Sequence, residues 1–129
     1  MKMALLTAGI CVVILSSFAT ADDAVSSCEK GDMSKSMVRQ SDLIGKWKQI
    51  GFEENGKVIK MNIGLTHEFA TNCEMIVTMI GVPVKYNYLL EENRLTLTNE
   101  LTKSNYHKVF SKVELNLIIH GGDVFERIK

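Results

Sequence analysis

From residue 46 to residue 128 the chain is a succession of short strand-like runs, each closed by turn residues, with no stretch of helical period between them. The runs fall at 46–52, 57–61, 65–70, 73–80, 84–90, 94–99, 106–110, 115–119 and 123–128. Asn55-Gly56 is the strongest hairpin signal, because a two-residue type I′ turn needs positive φ at both central positions. Gly121-Gly122 is a second such signal, and Glu91-Glu92-Asn93 reads as a charged turn. Gly51 marks a kink or bulge in the first run. Gly81-Val82-Pro83 is an interruption that keeps the single proline outside any strand interior. Consecutive hairpins need no crossovers, and closing the sheet hides its edges. The expectation is therefore an all-β fold, a small antiparallel up-and-down barrel of about eight strands behind an N-terminal extended arm.

The chain begins differently. Lys2 precedes an apolar run over residues 4–19, and Ala19-Thr20-Ala21 places small residues where a signal peptidase reads. Residues 1–21 are expected to be a signal peptide, the alternative being an uncleaved anchor. Val25-Ser26-Ser27-Cys28 loosely resembles a lipidation box, but Asp22 and Asp23 stand where such signals stay uncharged. Residues 22–40 are polar and without period, and are expected to form an arm tied to the body through Cys28. Ser41 or Asp42 can cap one helical turn over Leu43-Ile44, which Gly45 ends. Residues 41–129 are the barrel domain.

Removing the leader from 129 residues leaves 108, one domain with a thin core. Without Lys2 the balance is 14 basic against 15 acidic residues, which argues against a nucleic-acid binder. Cys28 and Cys73 remain, and in an oxidising compartment an isolated pair most simply forms a disulfide; two free thiols are the alternative. No C-x-x-C, H-x-H or H-x-x-x-H spacing points to a metal, and no motif points to a cofactor.

At Leu43-x-Gly45-x-Trp47 and at the closing Phe125-Glu126-Arg127, the chain resembles the short bacterial lipocalin-like domains, secreted calycin-type barrels. The similarity spans about residues 42–129; the mature body is shorter than a full lipocalin, and middle-strand motifs are not recognisable. The resemblance implies that Trp47 and Arg127 meet at the closed end of the barrel as a structural lock, guanidinium stacked on indole.

Alternation places Trp47, Gln49, Leu65, His67, Phe69, Met75, Val77, Met79, Tyr86, Tyr88, Leu95 and Leu97 on the inner face. Large side chains there favour a filled interior, although a barrel of this size can also hold one small ligand. His67 is the one ionisable residue on that row; it is either a core histidine or, with Tyr86, Tyr88 and Gln49, a group that orients a ligand. His107 and His120 lie beside turns and are expected to be solvated. There is no G-x-S-x-G elbow, no P-loop and no base–orienter pair, so no catalytic residue is assigned and an enzyme is not expected.

The sequence thus suggests a secreted or periplasmic protein, without a stable membrane span after cleavage. It would bind a small apolar or amphipathic ligand through His67, Phe69, Met75, Tyr86 and Tyr88. The alternative is a filled barrel that serves as a structural module or docks an envelope or extracellular protein.

Overall fold

The computed structural model describes residues 28–129; the expected signal peptide and the first part of the polar arm lie outside the described residues. A two-residue strand β1 (Glu29–Lys30) and a four-residue helix α1 (Gln40–Leu43) precede the main sheet. Then come β2 (Gly45–Glu54), β3 (Lys57–Lys60), β4 (Leu65–Phe69), β5 (Glu74–Met79) and β6 (Val82–Glu91). The chain closes with β7 (Arg94–Asn99), β8 (Asn105–Val113), β9 (Leu117–His120) and β10 (Asp123–Arg127).

Neighbours run β6-β5-β4-β2-β10-β9-β8-β7, all antiparallel, and β7 pairs back onto β6, so eight strands close a barrel. Both two-residue glycine turns take the positive φ they were chosen for: 53° and 77° at Asn55 and Gly56, 59° and 83° at Gly121 and Gly122.

β2 does two jobs. Its first half pairs with β4 and its second half, from Gly51, pairs with β3, which stands outside the ring as a flap. Against β10 the register slips by one residue at Ile50, a bulge. A Cβ on Gly51 would run into the backbone carbonyl of Ile59, so the flap can cross there only because the residue is glycine.

Two expectations need correction. Pro83 lies inside β6, opposite Thr78. The turn before it is Ile80-Gly81, with φ of 49° and 81°, so the strand starts sooner than the Gly-Val-Pro break suggested. Pro83 is tolerated because β7 pairs with β6 only from Tyr86 onward, leaving the proline at a free edge. The helical turn also begins earlier, at Gln40, with the Asp42 carboxylate accepting the Arg39 backbone N–H from inside the turn.

The two ends of the barrel differ. One end gathers the start of β2, the turns after β4, β6 and β8, and the end of β10, and it is sealed. The Arg127 guanidinium lies 4.2 Å over the Trp47 ring and donates to the carbonyls of Asp42, Ile44 and Leu115, each at 2.8 Å. The Trp47 indole N–H donates to Leu43 O at 2.9 Å. Gly45 is needed here as well, since a Cβ would sit 2.8 Å from Arg127 Nη1. These contacts account for the L-x-G-x-W spacing.

From Cys28 onward the arm is packed against this base. Cys28, Val38 and Leu43 are fully buried in the same cluster as Trp47. β1 adds in parallel to the stretch of β6 at Leu90 and Glu91, beyond the reach of β5. The Glu29 carboxylate accepts from the Arg39 guanidinium and from the Gln40 backbone N–H, and Arg39 above all holds its carboxyl below the usual range. A Cys28–Cys73 disulfide fastens the arm to the β4–β5 turn.

Candidate functional site

The opposite end is formed by the turns after β5, β7 and β9 and by the far half of β2, and it is open. Inside it lies a cavity of about 250 Å³. Leu65, Met75, Val77, Met79, Leu97 and Phe125 give it an apolar wall. Gln49, His67, Tyr86, Tyr106, Lys108 and Asp123 supply its polar groups. These twelve residues come from β2, β4, β5, β6, β7, β8 and β10, which is why no short motif announces the cavity.

The five residues expected to bind a ligand divide by depth. His67, Met75 and Tyr86 line the cavity. Phe69 and Tyr88 lie in the filled half below, their rings edge to face at 5.1 Å. The Tyr88 hydroxyl donates to Ala70 O at 2.7 Å, and burial, more than any other influence, raises the phenol to about 12. Alternation reports which face a residue occupies and says nothing of its height in the barrel; that is the physical reason the set splits.

Five residues of the site escaped the sequence reading, Tyr106 and Phe125 in the cavity wall among them. Lys108 and Asp123 face inward, so His67 is not the one ionisable residue of the interior. The Lys108 ammonium is 3.3 Å from Asp123 Oδ2, both side chains about one-third exposed to the cavity mouth. The alternation of Tyr106, Lys108 and Phe110 along β8 carried the signal, since its partners on β7, Leu97 and Leu95, were already inner-row residues. The last is His120. It is fully buried, not solvated, because β9 runs to the edge of the Gly121-Gly122 turn and its last side chain points inward beside Phe110 and Phe125.

The floor of the cavity is a cluster of rings. His67 lies 4.3 Å from Phe125 and 5.6 Å from His120, and His120 lies 4.8 Å from Phe125, so the three rings meet as a triangle. His67 Nδ1 and both ring nitrogens of His120 are buried without a hydrogen-bond partner. Burial lowers both imidazoles, His67 to about 3, and the Lys108 ammonium pushes in the same direction. Both rings are therefore neutral at physiological pH.

No family model matches the chain, and no curated protein matches it. Among solved structures it is similar to a lipocalin-like protein from Bacteroides uniformis, with a TM-score of 0.55 at 13% identity. It is also similar to an uncharacterized protein from Bacteroides eggerthii, with a TM-score of 0.53 at 12% identity. Each likeness covers 67% of this chain and 99% of the other. The fold is lipocalin-like.

Proposed function

We propose that the barrel holds one small, largely apolar molecule non-covalently in the cavity at its open end, and that it does so as a secreted or periplasmic protein. The observation that carries this reading is the asymmetry of the interior: the base is filled and locked, while the mouth keeps about 250 Å³ walled by apolar side chains with a few convergent polar groups. Such a lining is the usual form of a small-molecule site. The disulfide favours an oxidising compartment, and among the described residues no helix is long and apolar enough to cross a membrane.

A second reading has its own observation. Ile80 and Leu101, on turns that ring the open end, and Val82, at the start of β6, stand 82%, 89% and 62% exposed. In the leading proposal they border the way in; in the second they dock a protein partner. Calorimetric titration with small apolar probes, run on the native protein and on Val77→Phe, separates the two. The cavity reading expects binding that the added ring abolishes. A native protein that binds no probe, or a Val77→Phe protein that binds as well as native, refutes it.

A further inference from the structure

The cavity carries a charge that its apolar wall does not call for. Lys108 reaches it from β8, its stem passing within 3.5 Å of where a Cβ on Gly121 would sit. Asp123 takes one of the ammonium's three donors, at 3.3 Å, longer than a tight charge-assisted bond of about 2.7–2.9 Å. His67, only 5% exposed, lines the same cavity with Nδ1 unpartnered. Resting on the reading above, we propose that the occupant is a compact monocarboxylate, medium-chain or aryl, whose carboxylate sits between the Lys108 ammonium and His67.

Among the described residues Lys108 is the one lysine or arginine lining the cavity, and its bond to Asp123 leaves two of its three donors for an anion in that space. An anion placed there gains a charge-assisted bond from Lys108 and lies beside the His67 ring, which lines the same space. A cation would face the same ammonium across a site of low dielectric. Volume sets the size of the body. The space lies between a benzene-binding cavity of roughly 150 Å³ and the roughly 300 Å³ at which drug-sized pockets begin, which suits roughly a dozen non-hydrogen atoms. Met75 and Met79 are unbranched and adapt to either a chain or a ring.

The test is calorimetry on the native protein with octanoate, octanol and octylamine, which share a body and differ in the head, and with 4-phenylbutyrate as the aryl acid. Octanoate is expected to bind at least tenfold more tightly than octanol, and octylamine least. Lys108→Met is expected to cost octanoate about tenfold while octanol is unchanged. Asp123→Asn, which frees the ammonium from its competitor, is expected to tighten octanoate. If the three octyl probes bind alike, or octylamine binds best, or Lys108→Met leaves octanoate untouched, the carboxylate assignment is overturned and the cavity reading stands. If neither acid, nor the alcohol, nor the amine binds, both fall.

Discussion

The two buried imidazoles make a prediction about stability and pH. In the unfolded chain a histidine takes up a proton near pH 6.5. In the folded barrel His67 holds off protonation to about 3, and His120 also stays neutral well below its ordinary range. Between those limits the unfolded state binds more protons than the folded one, so stability rises with pH and is lost as pH falls below 6.5. At pH 5.5 the two neutral buried histidines together destabilise the fold by about 3 kcal/mol relative to pH 8. That is a large part of the roughly 5–15 kcal/mol available to a domain. Glu29 does not confuse this window: its lowered carboxyl gives stability that is lost only at pH values below the ordinary carboxylate range. The assay is urea unfolding followed by Trp47 fluorescence, repeated from pH 8 to pH 5. His120→Phe keeps a ring between Phe110 and Phe125 and removes one titrating group, so the fall between pH 8 and 5.5 should be about halved. A native protein that loses less than about 1 kcal/mol over that range, or a variant with the native slope, would refute the buried neutral pair.

Two further outcomes follow from the base of the barrel. Arg127→Met removes three hydrogen bonds to carbonyls and the stacking on Trp47, and is expected to destabilise the fold by about 2–4 kcal/mol in the same unfolding assay. Arg127→Lys should recover only a small part, since one ammonium cannot span three carbonyls in a plane. Breaking the Cys28–Cys73 link, by reductant or by Cys28→Ser, opens a loop whose ends are 45 residues apart and should cost about 4 kcal/mol. Equal melting temperatures with and without reductant would contradict it.

Local chemistry was readable where local physics decides. Asn55-Gly56 and Gly121-Gly122 announce their turns because positive φ is a property of two residues alone. The inner row from Trp47 to Leu97 follows from a period of two. Closure is different, because it depends on partners far apart in the chain. Lys108 looks like a surface lysine until β8 is set beside β7 in register with Leu95. Asp123 looks like a turn residue until β10 is set against His120. His120 is buried because its register opposite Asp123 on β10 and Phe110 on β8 puts its side chain on the inner face. Pro83 was misplaced for the same reason: whether a missing N–H matters depends on whether a neighbour reaches that far.

Packing alone does not explain the ring cluster beneath the cavity. A barrel built only to be filled would carry apolar rings at positions 67 and 120, as it does at Phe69, Phe110 and Phe125. Instead it holds two imidazoles with three unpartnered ring nitrogens, and each buried polar atom left without a partner costs about 1–3 kcal/mol. An ammonium beside them makes protonation still less favourable. Three of the four such atoms among the described residues fall beneath the cavity, and the fourth is Gln40 Oε1 in the base, which is otherwise held by a disulfide, a stacked guanidinium and three carbonyl contacts. Departures from good packing gather where a protein does its work. In this barrel they gather around His67, which is where the Lys108 ammonium and the apolar wall converge.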